Sequence, residues 1–209
     1  MTRIGVLLLA ILSGCATSHV AQIESLEKAK LCCRDVHELP ILGSLDTEIR
    51  VSLNGESPVF GFATGRSYFY GFALPKKASP YELELRALPM GRASFEGTMR
   101  GGQQYLFPAV LFLDEQRRPL GTAYDEKLKA ECYSFGCTYT FAGSVKVPPE
   151  ARYGVLHTLY GKVGQDYQGL MQHPSGGFMA GGLVVLYPGG PSTLLGRFGG
   201  AGDVVVKVK

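Results

Sequence analysis

The chain of 209 residues has no tryptophan, four histidines and five cysteines, and its 21 Lys and Arg nearly balance its 18 Asp and Glu. Each scarcity removes a class of function. A formal charge of +3, with no basic cluster larger than Lys76-Lys77 or Arg117-Arg118, leaves no electrostatic footprint for nucleic acid. The histidines, at positions 19, 37, 157 and 173, form no H-E-x-x-H pair, and no G-x-S-x-G elbow occurs. Gly199-Gly-Ala-Gly202 precedes a strand pattern instead of linking a strand to a helix, so it is no phosphate loop. The expectation is a protein that is not an enzyme and holds no metal or cofactor. No internal repeat or low-complexity tract is present, and no apolar stretch is long enough to span a bilayer as a helix.

One short apolar run does carry information. Residues 1–15 read MTRIGVLLLAILSGC: a positive charge at Arg3, apolar residues from Ile4 to Leu12, then Ser13 and Gly14. That is the layout of a secretory signal. Its end, Leu12-Ser13-Gly14-Cys15, resembles the lipobox of bacterial lipoproteins. The resemblance implies cleavage before Cys15 and acylation of Cys15 with palmitate-type chains, which hold a protein on a membrane at about 0.8 kcal/mol per buried methylene. Ala16 and Thr17 carry no aspartate of the kind that retains lipoproteins in the inner membrane, so the expected place is the outer membrane, with the domain facing the periplasm. The expected organisation is a signal peptide over residues 1–14, a lipidated tether over 15–31 and one folded domain over 32–209. The tether reading follows from ATSHVAQIESLEKAK, polar and too short for a stable isolated helix.

From Leu39 onward the chain is patterned in period two and punctuated by Gly and Pro. Glu48–Leu53 alternates apolar and polar and is followed by Asn54-Gly55. Tyr81, Leu83, Leu85 and Ala87 share one face of a strand whose other face carries Glu82, Glu84 and Arg86. Further strands are expected at 58–62, 67–74, 106–113, 137–145, 153–160, 182–187 and 203–209. They are separated by breaks such as Leu74-Pro75, Pro148-Pro149 and Pro188-Gly189. Nine or ten short strands without a long amphipathic helix predict an all-β fold, a single jelly-roll-like β-sandwich. Residues 161–181 show no clear period and read as a long irregular loop, the kind of segment that often carries function.

Two blocks go beyond pattern. The run PVFGFATGRSYFYGFAL at 58–74 and YLFPAVLFLDEQ at 105–116 resemble the MalM family, maltose-operon periplasmic proteins and their lipoprotein relatives. The strand Arg152–Tyr160 and the closing segment Gly202–Lys209 follow in a similar order. Over residues 32–209 the resemblance implies an envelope location and an association with carbohydrate uptake. It carries over no catalytic residues. Two roles fit: an accessory or binding protein in maltose- or maltodextrin-type transport, or an envelope scaffold that binds a protein partner. Sugars present an apolar C–H face that aromatic rings accept. Tyr68 and Tyr70, in a run of three aromatics of which at least one must face outward, are candidates, with Tyr133, Tyr160 and Tyr167.

With Cys15 assigned to lipid, four cysteines remain for an oxidising compartment. Cys32, Cys33 and His37 carry soft-metal donors, but adjacent cysteines close a tetrahedral site poorly and no second half of a ligand set lies nearby. Disulfides are the better reading. Either Cys132 and Cys137 close their own short loop, leaving Cys32 and Cys33 to each other, or the first pair reaches to the second and clamps the domain entrance to its middle.

Overall fold

The structure is a computed structural model that describes residues 19–77, 79–90, 103–132, 139–173, 176–180, 183–187 and 190–209. Its strands build a β-sandwich, as the alternation predicts. One sheet runs β1 (Ile41–Ser44), β4 (Gly65–Ala73), β11 (Tyr153–Thr158), β7 (Pro108–Leu113) and β8 (Pro119–Ala123). β3 (Val59–Phe62) pairs with the first half of β4, along the same edge that β1 occupies in its second half. The facing sheet is antiparallel throughout: β2 (Glu48–Leu53), β16 (Gly202–Val208), β5 (Glu82–Leu88), β10 (Tyr139–Lys146) and β9 (Lys129–Cys132).

The core between the sheets comes from the predicted inner faces. Val51 and Leu53, Leu83 and Leu85, Val204 and Val206 meet Tyr68, Phe72, Val110, Phe112 and Leu156 across the gap, all nearly or fully buried. Alternation explains this face because successive Cβ atoms on a strand point to opposite sides. β7 shows no alternation: Pro108–Leu113 is apolar throughout, and all six residues are buried. Its second face needs a cover. Phe69, Leu111, Leu113 and Val155, on the outer side of the sheet, pack under Cys33 and Leu39 of the N-terminal segment together with Phe60. That segment is tied at one end by Cys32 N–H to the Val59 carbonyl at 2.9 Å. At the other end the Arg117 guanidinium donates to the carbonyls of His37 and Leu39 at 3.2 and 3.3 Å. Arg117 sits in the left-handed region, φ 60°, in the tight turn between β7 and β8.

Two expectations change. Residues 19–28, read as tether, form α1 (His19–Lys28), which docks on the end of the sandwich. Leu26 is fully buried in the core, and Gln22, one turn earlier on the same face, donates to Gln104 Oε1 and accepts the Gly200 N–H, both at 3.1 Å. A ten-residue helix is marginal alone; here packing of one face holds it. The stretch 161–181, read as an irregular loop, contains β12 (Asp166–His173) and β13 (Gly176–Ala180). β12 pairs with β15 (Gly190–Gly199), which also takes β6 (Gln104–Leu106) in parallel; β13 forms a hairpin with β14 (Leu183–Tyr187). Glycines and polar residues blur the period there, and the partner strand decides the conformation.

Candidate functional site

Of the five tyrosines singled out by sequence, the four among the described residues do not converge. Tyr68 is 4 % exposed and faces the inter-sheet core, its hydroxyl 3.3 Å from Ser25 Oγ of α1. Tyr70, two residues on and therefore on the same face, is half-buried against that core. The aromatic between them, Phe69, does face the other way, but the 31–40 segment covers it completely. The outward ring expected from three consecutive aromatics is thus absorbed by the cover, while Tyr68 is buried and Tyr70 is only partly exposed beside the core. Tyr160 lies in a 3-10 turn (Tyr160–Lys162) over Gly65, whose φ of +115° and missing Cβ admit the ring. Tyr167 donates its hydroxyl to the Leu128 carbonyl and joins an edge-to-face cluster with Phe141, at 4.9 Å between centroids. Tyr105, Phe107 and Phe198 complete that cluster. Burial raises the phenols of Tyr105 and Tyr167, and the nearby Asp125 charge raises Tyr167 further. These rings are packing. Tyr133 and Cys15 lie outside the described residues, as does a pairing of Cys132 with Cys137.

The cysteines singled out at the domain entrance line an open surface hollow. Cys32 and Cys33 are bonded to each other, with Cα atoms 3.8 Å apart, so neither reaches Cys132 or Cys137. Cys33 is buried on the cover side while Cys32 is exposed. Around them opens a hollow of about 590 Å³, walled by Lys30, Leu31 and Arg34 from the N-terminal segment, Glu38 from the 3-10 turn Val36–Glu38, and Phe60 and Gly61 from β3. Leu31 is 37 % exposed and presents an apolar surface beside the sulfurs. The Glu38 carboxylate folds back to accept the Arg34 N–H at 2.8 Å, and Asp35 caps the turn by accepting the His37 N–H at 3.0 Å. These local bonds hold the rim in place.

His157, inside β11, is only half satisfied. It is fully buried, Nδ1 is 3.0 Å from the Thr158 carbonyl, and Nε2 has no hydrogen-bond partner. Burial pushes its pKa down to about 4, partly opposed by the Thr158 carbonyl. Among the described residues there is no cluster of three His, Cys, Asp or Glu side chains placed to hold a metal ion, and no helix long and apolar enough to cross a membrane.

What sequence reasoning missed is the hollow. Its signal was the Cys32-Cys33 pair itself, but the walls from β3 arrive through a long-range parallel bridge between Leu31 and Val59. No protein-family model and no curated protein matches the chain.

Proposed function

We propose that this is a non-catalytic lipoprotein, anchored in the outer membrane through Cys15 and facing the periplasm, that serves as an accessory or binding protein in carbohydrate uptake. The lipobox at Leu12–Cys15 and the MalM-like blocks at 58–74 and 105–116 support the anchor and the association with sugar. The observation that carries the binding role is the open surface hollow of about 590 Å³ at Cys32–Cys33. Its walls combine an apolar patch with charged and polar groups, the mixture that small-ligand sites use for burial and orientation.

Two measurements test the reading separately. Membrane fractionation of Cys15→Ser tests the anchor: the variant moves to the soluble periplasmic fraction, and an unchanged membrane fraction refutes lipidation. Thermal unfolding with millimolar maltodextrins tests the ligand, because a molecule that binds only the native state raises Tm by mass action. No shift at millimolar sugar refutes carbohydrate binding and leaves the envelope-scaffold role.

A further inference from the structure

We infer that the hollow beside β3 binds one neutral saccharide ring, with the oxidised Cys32–Cys33 pair as its floor and the open edge of β3 as one wall; this rests on the carbohydrate reading above. The edge comes first. The parallel bridge between Leu31 and Val59 shows that the Val59 backbone points away from β4, toward the N-terminal segment. Gly61 lies two residues further along the same strand, so its N–H and C=O point the same way. Continued parallel pairing would set Cys33 opposite Gly61, but Cys33 turns into the core, 9 % exposed. The Gly61 donor and acceptor therefore face the hollow, and the absence of a side chain leaves the approach clear: a Cβ there would meet nothing within 4 Å.

The floor supplies the complementary surface. A disulfide between neighbours closes a small ring with the intervening peptide, so the sulfurs have no rotamers left to freeze when a ligand arrives. Sulfur is polarizable and apolar, suited to the C–H face of a pyranose. Leu31 extends that surface at the side.

Around this floor, Lys30 and Arg34 donate and Glu38 accepts, with one Glu38 oxygen already oriented by the Arg34 N–H. Sugar hydroxyls both donate and accept, so they use groups of both kinds. An anionic ligand would meet Glu38, and a cationic one would meet Lys30 and Arg34. An added peptide strand fits poorly, because β3 ends at Phe62 and offers a single open rung beyond Val59, whereas strand addition draws its affinity from a row of main-chain bonds.

The test is calorimetric titration of the full-length, detergent-solubilised chain with maltotriose. Gly61→Pro removes the N–H that faces the hollow, at an edge position whose donor is not used in pairing with β4. Cys32→Ser/Cys33→Ser removes the floor. Each is expected to weaken maltotriose binding about tenfold or more. Leu120→Ser, on edge strand β8 away from the hollow, leaves binding unchanged. Binding undiminished in Gly61→Pro overturns the site while sparing the carbohydrate reading. Binding undiminished in the double serine variant, with Gly61→Pro impaired, overturns the role of the disulfide. A wild-type chain that takes up no maltotriose overturns both the inference and the reading beneath it.

Discussion

The imidazole of His157 lies flat on the ring of Phe62, centroids 4.1 Å apart and planes 8° from parallel, on the outer side of the first sheet. An imidazole in that sandwich, with Nε2 unpartnered, is held neutral.

Acid sensitivity follows from that burial. The folded-state pKa of about 4 lies below the ordinary 6.5, so as pH falls the unfolded chain takes the proton first. The stabilisation is fully present above pH 6.5 and is lost as pH drops toward 4, by up to about 3 kcal/mol from this one group. Urea unfolding at pH 7 and pH 4.5 measures the loss, and His157→Leu flattens the slope within that window. Asp203 acts lower on the scale. Burial alone raises its carboxyl, but hydrogen bonds from Arg50 and Ser52 and the Arg50 charge together hold it below its ordinary 3.8. Its contribution therefore disappears only as pH falls below that value.

Docking of α1 makes Leu26 a core residue. Leu26→Ala removes a fully buried side chain and is expected to cost about 2–5 kcal/mol in a denaturant melt. A cost below about 0.5 kcal/mol would mean that residues 19–28 behave as a tether after all.

Gly196 marks a close approach between β15 and the aromatic cluster. A Cβ at this position would lie 2.8 Å from a ring carbon of Phe141 and 2.9 Å from two of Tyr105, both immobilised by burial. Gly196→Ala therefore destabilises by overpacking, by about 1–3 kcal/mol. Thermal unfolding reads the change, and Gly161→Ala, at an open position, serves as the unaffected control.

The bond between Cys32 and Cys33 has a direct chemical signature. Trypsin cuts after Lys30 and Arg34, releasing Leu31-Cys32-Cys33-Arg34 as one peptide. In a non-reducing digest this peptide appears two hydrogens lighter than its dithiol form and attached to no other. A mixed peptide containing Cys132 or Cys137 would contradict the structure.

The inner faces of the sandwich were legible because a strand's alternation is a local property. Leu83, Leu85 and Ala87 face inward wherever β5 lies in the sheet, and each is at most 1 % exposed. The segment 161–181 was not legible, since its glycines and polar residues leave no period and its strand character depends on β15, about twenty residues further on. The same limit applied to the site. The paired cysteines stood out in the sequence, but Phe60 and Gly61 join them through the bridge between Leu31 and Val59, 28 positions apart.

The sequence by itself determined an all-β chain with two-sided strands, because side-chain direction follows from backbone geometry one residue at a time. It also singled out Cys32 and Cys33 as the feature at the domain entrance. Only the tertiary structure decided what lies over each face. Tyr68 and Phe69 are neighbours of similar character, and one fills the gap between sheets while the other lies under the N-terminal segment. Burial of a second face depends on what packs against it, and that partner comes from a distant part of the chain.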